Sequence, residues 1–328
     1  MPLDRPPQPF PDIKPFDSRN LAVGDEHELY VEQVGNPEGV PAVVLHGGPG
    51  SGCNPGHRRL FDPQCFRVVL FDQRGVGKSR PKGSLAANTT QHLIADLECI
   101  RDALGIERWM LVGGSWGALL AIAYAEAYPE RVSAIALRAL FLGSAVETDW
   151  AFLRGPRIFR PELWRSFVAR LPEAERRDPL AGYGRRLEDP DPAVHGPAAR
   201  AWHDYERTLS VLTPGQSDLP EADTTAGTTA SKTWLPNTPF FEWHYVKHGF
   251  FLAPEQLLRD AGRLEGIPGI VVQGRFDLLC PPRTAHALAA RWPGCELRIV
   301  EGAGHDAGEP GIGPALMAAI DRLGRELT

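Results

Sequence analysis

The five residues Gly113-Gly114-Ser115-Trp116-Gly117 are the part of the chain best suited to nucleophilic chemistry. They follow the apolar run Trp109–Val112 and precede the helical pattern of Ala118–Tyr128. Glycines at these places permit a sharp turn from strand to helix, which raises the serine hydroxyl above a sheet. The N-terminus of the helix behind the serine favours developing negative charge. The spacing therefore predicts a nucleophile elbow with Ser115 at its tip.

A serine hydroxyl needs a base that takes its proton and an acid that holds the base in the right tautomer. Asp277 follows the predicted strand Ile270–Gln273, and His305 follows the predicted strand Leu297–Val300. The order serine, acid, histidine is the one that this strand-and-helix architecture uses. The chain has 10 histidines, so His305 alone would be weak support. Order and context together predict a triad of Ser115, Asp277 and His305.

A tetrahedral intermediate also needs backbone donors for its oxyanion. The N–H of Trp116, next to the nucleophile, is one candidate. The other is expected in the loop after the first core strand, where His46-Gly47-Gly48-Pro49-Gly50 lies. Only glycines let a backbone approach a substrate so closely, so we expect Gly48 to be the second donor.

The glycine-rich segment Asp72–Ser79 has some likeness to a phosphate loop but lacks the G-x-x-x-x-G-K-[ST] spacing. We interpret it as a turn that braces the oxyanion loop, with Arg74 buried and paired. That role is structural.

Short apolar runs alternate with helical patterns on both sides of a different middle section. Strand–helix alternation predicts an α/β fold with a mostly parallel sheet flanked by helices. Strands are expected at Ala42–Leu45, Arg67–Phe71, Trp109–Val112, Ala134–Leu137, Gly269–Gln273 and Glu296–Val300, and helices at Thr90–Leu104, Gly117–Tyr128, Pro282–Arg291 and Pro314–Leu327.

The middle section is rich in Trp, Arg and Pro and has no convincing strand. Helices are expected at Pro161–Leu171 and Pro197–Leu212, followed by a long polar loop at Thr213–Pro239. We therefore predict a core of residues 1–141 and 263–328, with a helical cap of residues 142–262 inserted into it.

Bulk properties exclude several classes of protein. Of the 328 residues 43% are hydrophobic and 23% charged, and the net charge of −6 without a basic run argues against nucleic-acid binding. Nothing apolar approaches the ~18 residues of a membrane span. The five cysteines have no metal-ligand spacing and indicate free thiols in a reducing compartment. The N-terminus lacks an apolar signal region. We expect a soluble, cytoplasmic protein.

Taken together, the motifs resemble those of the proline iminopeptidase (prolyl aminopeptidase) family of the α/β-hydrolase fold. The resemblance runs from Pro15-Phe16-Asp17-Ser18 to Arg291-Trp292-Pro293 and is most specific where the Gly-Gly-Ser-Trp-Gly elbow accompanies His-Gly-Gly-Pro-Gly. It implies a serine exopeptidase that releases an N-terminal proline or similar residue through an acyl-enzyme. Its partners would be short peptides or amino-acid derivatives with a free N-terminus, and no metal or cofactor is implied.

The resemblance also implies which residues bind the substrate. Glu206 and Glu242 match cap carboxylates that hold the free amine, which is sensible because an ammonium leaving water needs opposite charge nearby. Phe141 and Arg138 match a segment that flanks the pocket for the proline ring.

The chain departs from the family pattern at several cap positions. Ala151 replaces a usual tyrosine, Gly143-Ser144 a more basic stretch, and Trp243 a small polar residue. We expect Ala151 and Trp243 to reshape a pocket in which one methylene is worth ~1–3 kcal/mol.

Three other functions compete with the exopeptidase. An esterase or amidase of the same fold would act on small amino-acid esters or amides. A non-catalytic binding protein is disfavoured because all three triad residues are present. Haloalkane dehalogenases and epoxide hydrolases need a carboxylate where this chain has Ser115.

Overall fold

A computed structural model describes residues 8–214 and 235–328 and contains one eight-stranded sheet. The strands are β1 (Asp17–Gly24), β2 (His27–Gly35), β3 (Val40–Leu45), β4 (Phe66–Phe71), β5 (Trp109–Ser115), β6 (Val132–Leu140), β7 (Gly269–Gly274) and β8 (Cys295–Val300). Their order across the sheet is β1-β2-β4-β3-β5-β6-β7-β8. Strands β4, β3 and β5 to β8 are mutually parallel, and β1 and β2 extend one edge in antiparallel pairing.

Helices cover both faces of the sheet and fill the section between β6 and β7. They are α1 (Pro55–Arg58), α2 (Thr90–Ala103), α3 (Trp116–Ala127), α4 (Ala145–Asp149), α5 (Gly155–Phe159), α6 (Pro161–Ala169), α7 (Pro179–Leu187), α8 (Pro192–Ser210), α9 (Thr238–Lys247), α10 (Gln256–Arg259), α11 (Pro282–Ala289) and α12 (Ile312–Glu326).

Two apolar layers hold the sheet. Helices α2, α3 and α11 pack on one face through side chains such as Leu97, Leu119 and Leu288, all buried. Helix α12 covers the other face with Leu316 and Ile320. The central strands read as continuous apolar runs because both of their faces are covered. The predicted α/β-hydrolase architecture is confirmed.

A third apolar cluster lies mostly between β6 and β7, is centred on aromatic rings, and also includes Leu279 and Cys280 from the segment after β7. Phe167 stacks between Tyr183 and Tyr205 with ring centroids 4.0 Å away on each side. Trp202, fully buried, packs against Phe152 at 4.8 Å. This cluster supports a cap subdomain, and the division of the cap from the sheet at residues 142 and 262 stays a prediction.

Among the described residues, the structure has two strands that were not predicted, several further helices, and one helix that begins earlier than predicted. The antiparallel strands β1 and β2 were not expected, because β1 is mostly exposed and has no apolar run. Helix α8 begins at Pro192, with the Asp191 carboxylate capping it, so Pro197 lies inside the helix. Of the predicted loop Thr213–Pro239, residues 215–234 lie outside the described residues, and α9 already begins at Thr238.

Among the described helices, none combines the length and the apolar character that a membrane crossing needs.

Candidate active site

Ser115 is the last residue of β5 and the residue before α3, as the elbow predicts. Its backbone lies at φ 57° and ψ −122°, a conformation that non-glycine residues rarely adopt and that surrounding structure must enforce. The flanking glycines are needed for space: a Cβ on Gly117 would lie 2.0 Å from the carbonyl oxygen of Leu45, and a Cβ on Gly113 2.5 Å from that of Gly117. The turn is therefore possible only with glycine on both sides.

The structure joins Asp277 and His305. His305 Nδ1 lies 2.9 Å from Asp277 Oδ2 and 3.0 Å from Oδ1. The carboxylate is buried and also accepts the N–H groups of Leu279 at 3.0 Å and Cys280 at 2.8 Å. The carboxylate accepts Nδ1–H of His305, which leaves Nε2 to act as a base.

Cys280 connects this pair with the serine. The Ser115 hydroxyl is in hydrogen-bond contact with the Cys280 thiol. That thiol belongs to a buried group with Asp277 and His305, in which one polar atom of each side chain lies within 4.8 Å of the others. The three residues that the sequence predicts as a triad thus converge on one place at the C-terminal edge of the sheet.

Gln273, which was not predicted as a site residue, connects the loop that carries Asp277 to the neighbouring strand β6. Its buried amide donates to the Cys280 carbonyl at 2.8 Å and to Asp277 Oδ2 at 3.2 Å, and it accepts the N–H of Leu140 at 3.0 Å. The sequence signal that could have identified Gln273 is a polar residue inside an otherwise apolar strand.

The predicted oxyanion loop passes beside the nucleophile. A Cβ on Gly47 would lie 3.3 Å from the Gly114 carbonyl oxygen and 3.9 Å from Ser115 Cβ. Gly48 adopts φ 108°, a conformation that favours glycine. The loop and the first turn of α3, where Trp116 begins the helix, thus border the same space.

Buried hydrogen bonds fix this loop through His46 and Gln73. His46 Nε2 accepts the N–H of Gln73 at 3.1 Å, and His46 Nδ1 lies 3.0 Å from the Gly47 carbonyl oxygen. Burial lowers the pKa of His46, which keeps the ring neutral. The Gln73 amide donates to the His46 carbonyl at 3.1 Å and accepts the Trp116 indole N–H at 2.8 Å. Gln73 therefore joins Trp116 to His46, the residue that begins the predicted oxyanion loop.

The segment Asp72–Ser79 braces the same loop. The Asp72 carboxylate accepts the N–H groups of Cys53 and Lys78, each at 2.8 Å. Arg74 is buried and forms a two-pronged ion pair with Asp96, with both N···O distances 2.8 Å. The predicted burial and pairing of Arg74 are confirmed.

The two predicted cap carboxylates meet each other. Glu206 on α8 and Glu242 on α9 are in hydrogen-bond contact, and the Trp202 indole N–H donates to Glu242 Oε2 at 2.5 Å. Burial, followed by the neighbouring Glu206 carboxylate, raises the pKa of Glu242 well above its usual range. Burial also raises the pKa of Glu206, and nearby His305 acts in the opposite direction. A bound cation would stabilise both carboxylates in their ionised form.

Phe141 and Arg138 lie at the end of β6, on opposite sides of the strand. The Phe141 ring contacts Phe250 edge-on at 5.1 Å and touches both the sheet core and the cap cluster. Arg138 lies under the elbow, since a Cβ on Gly114 would lie 2.7 Å from its side chain, and its guanidinium donates to the His305 carbonyl at 3.1 Å. These contacts make Arg138 a support for Ser115 and His305, and substrate binding by either residue stays a prediction.

Two of the departures in the cap differ in position. The Trp243 ring lies on Gly184 of α7 and donates to Glu188 at 2.9 Å, whereas Glu242 beside it faces α8. The bulk of Trp243 is therefore accommodated between α7 and α9. Ala151 is buried in the cap cluster that also includes Cys280, and the effect of either residue on the substrate pocket stays a prediction.

Comparisons with known proteins agree with this geometry. Residues 41–189 match the model of the alpha/beta hydrolase fold family. A proline iminopeptidase of Xylella fastidiosa is 44% identical over 95% of this chain and 98% of its own length. One of Arabidopsis thaliana is 41% identical over 95% of this chain and 80% of its own.

A solved structure, the proline iminopeptidase of Mycobacterium smegmatis, superposes with a TM-score of 0.57 over 95% of this chain and all of that one. At 21% identity this likeness supports the fold alone. The identity and coverage of the sequence relatives establish more, and this chain belongs to the proline iminopeptidase family of α/β-hydrolases.

Proposed function

We propose that this chain is a serine exopeptidase that releases an N-terminal proline, or a similar residue, from short peptides. The observation that carries the proposal is the Glu206–Glu242 pair: two carboxylates in contact with each other, Glu242 buried and Glu206 half-buried, whose pKa values are both raised by desolvation, an effect that nearby His305 partly offsets at Glu206. Buried carboxylates in contact require a proton or a cation between them. A substrate's protonated N-terminus supplies that cation.

The position of the pair explains the exopeptidase register. An amine held between Glu206 and Glu242 places the first carbonyl carbon of the peptide beside the site of Ser115, Asp277 and His305. Peptides whose amine is blocked lose the charge-assisted hydrogen bonds that fix this position. Binding energy at the amine is thereby used to orient the first peptide bond.

The chemistry needs only side chains and backbone of this chain. His305 Nε2 takes the proton of the Ser115 hydroxyl as its oxygen attacks the carbonyl carbon, and Asp277 stabilises the imidazolium. The N–H groups of Trp116 and Gly48 bind the oxyanion. The intermediate collapses when His305 gives its proton to the leaving peptide nitrogen, which leaves the proline carbonyl esterified to Ser115. Water, activated by the same imidazole, then releases proline.

Substrate pairs test this proposal. We expect hydrolysis of a proline arylamide and rejection of its N-acetylated counterpart, with Ser115→Ala losing all turnover above the uncatalysed rate while circular dichroism stays native. Equal rates on free and blocked substrates would contradict the role of the carboxylate pair.

An esterase or amidase acting on small amino-acid esters or amides is the second candidate, and buried Ala151 favours it because a small side chain, where the family usually has a tyrosine, alters the cap cluster that also includes Cys280. A panel of aminoacyl arylamides, amides and esters separates the two by their kcat/KM values. The five free thiols support a reducing, cytoplasmic location for either activity.

A further inference from the structure

The proposed mechanism leaves one nucleophilic group at the site unused, the thiol of Cys280. Its main chain is held from both sides: the N–H donates to Asp277 Oδ1 at 2.8 Å and the carbonyl accepts the Gln273 amide at 2.8 Å. The residue is 3% exposed, and its sulfur contacts the Ser115 hydroxyl. The thiol therefore has a fixed position among the triad residues.

Among residues 8–214 and 235–328, the side chains of Asp277, Cys280 and His305 form the one group whose ligand atoms are close enough for a shared metal ion. One atom of each lies within 4.8 Å of the others. Tetrahedral Zn²⁺ with Zn–S near 2.3 Å and Zn–N near 2.0 Å requires ligand atoms roughly 3.5 Å apart. Small side-chain rotations cover the difference of roughly 1 Å.

The types of ligand select the cation. Thiolate and imidazole suit Zn²⁺ and Cd²⁺, whereas Mg²⁺ and Ca²⁺ prefer an all-oxygen shell. A thiolate at Cys280 and the carboxylate of Asp277 would together balance a charge of 2+ in this buried place, with a ring nitrogen of His305 as the neutral third ligand. Water or the Ser115 hydroxyl can complete the tetrahedron.

We propose that Asp277, Cys280 and His305 form a reversible inhibitory site for soft divalent cations such as Zn²⁺. Binding releases the thiol proton to solvent, forms three coordinate bonds and involves no oxidation. The occupied imidazole can no longer accept the Ser115 proton, so the bound enzyme is inactive until the cation is removed. The loss of activity rests on the proposed function, whereas the binding of the cation does not.

The test measures turnover of a proline arylamide against the concentrations of Zn²⁺, Cd²⁺ and Mg²⁺. We expect Zn²⁺ and Cd²⁺ to inhibit, Mg²⁺ to have no effect, and a chelator to restore the rate. In Cys280→Ala the concentration of Zn²⁺ for half inhibition, relative to that variant's own uninhibited rate, should rise at least about tenfold. The exposed thiols provide matched controls: Cys65→Ala and Cys99→Ala should keep wild-type sensitivity.

A second readout is independent of peptidase activity. Cd²⁺ bound to a thiolate gives an ultraviolet charge-transfer band, which we expect in the wild type and not in Cys280→Ala or in Cys280→Ser, the variant that keeps the side chain's size. Zn²⁺ should also slow fluorophosphonate labelling of Ser115.

Unchanged Zn²⁺ sensitivity in both Cys280 variants, or a Cd²⁺ band that persists in them, would overturn the site. If the band depends on Cys280 and labelling is slowed while no aminoacyl arylamide is cleaved, the cation site stands and the proposed function fails.

Discussion

Glu206 and Glu242 are the residues on which the proposed substrate selection depends. A charge-assisted hydrogen bond contributes about 1.5–3 kcal/mol, and removing one carboxylate loses part of that attraction. We expect Glu242→Gln and Glu206→Gln each to raise KM for a proline arylamide roughly 10- to 100-fold, with a smaller change in kcat. Steady-state kinetics measures this. Glu188→Gln, which changes a carboxylate that contacts Trp243 and Lys247 instead, is the matched control. Unchanged KM values in both variants would contradict the binding of the substrate amine by these two carboxylates.

Glu126, unlike Glu206 and Glu242, is a buried acid that has no role in the proposed site. Neither of its carboxyl oxygens has a hydrogen-bond partner, and the residue is 3% exposed. Burial, followed by nearby Asp260, raises its pKa from 4.5 to about 8. Because the folded state holds the proton more tightly than the unfolded state, the free energy of unfolding should fall as pH rises from 4.5 to about 8.

Glu126→Gln removes this titration. We expect the variant to be more stable than the wild type by about 1–3 kcal/mol at about pH 9, and to gain little at about pH 4, where both states of the wild type are largely protonated. Urea unfolding at the two pH values measures the difference. A gain of equal size at both would show that charge is not its cause.

At the scale of elements, the oxyanion loop and the elbow are separate segments that Gln73 couples. Substitution by Leu leaves the His46 carbonyl and the Trp116 indole N–H buried without partners, at about 1–3 kcal/mol for each lost partner. We expect Gln73→Leu to lower kcat by roughly 10- to 100-fold with a smaller effect on KM, because loop position matters most for the transition state. Gln273→Leu serves for comparison, because Gln273 binds the loop that carries Asp277 and not the oxyanion loop. A wild-type kcat in Gln73→Leu would contradict the coupling of the oxyanion loop to the elbow through Gln73.

The elements also show what sequence reasoning could and could not supply. Glycines around Ser115 and strand ends before Asp277 and His305 are local signals, so the places of these three residues were predictable. Strand β1 was not, because it is mostly exposed and has no apolar run, and β2 has charged residues among its apolar ones. The brace at Gln73 and the thiol of Cys280 acquire their places only through tertiary contacts, which no local pattern encodes.

At the scale of the whole molecule, cap and core meet through α9 and the turn after it. The Tyr245 hydroxyl donates to Asn88 Oδ1 at 2.8 Å, and Thr90 Oγ1 donates to the Phe250 carbonyl at 2.6 Å. The ring of Tyr245 packs on Trp116 at 4.3 Å, directly behind the nucleophile. The cap helix that carries Glu242 is thus docked on the element that carries Ser115.

Tyr245→Phe tests this docking, because it removes only the hydroxyl. We expect a loss of about 1–2 kcal/mol in the free energy of unfolding and a rise in KM as Glu242 becomes less well positioned. Thermal unfolding and kinetics on the same preparation measure both effects. Tyr128→Phe, on the far end of α3, should leave KM unchanged.

The proposed binding of the substrate amine by Glu206 and Glu242 has a consequence for the cell that would carry this activity. An enzyme that binds its substrate by the N-terminal amine cannot cleave a peptide bond in the middle of a polypeptide. Folded proteins of the same cell, and proteins with acetylated N-termini, are then not cleaved. The cell needs neither an inhibitor nor an inactive precursor of the enzyme to protect them. Selectivity of this kind is built into the geometry of two side chains.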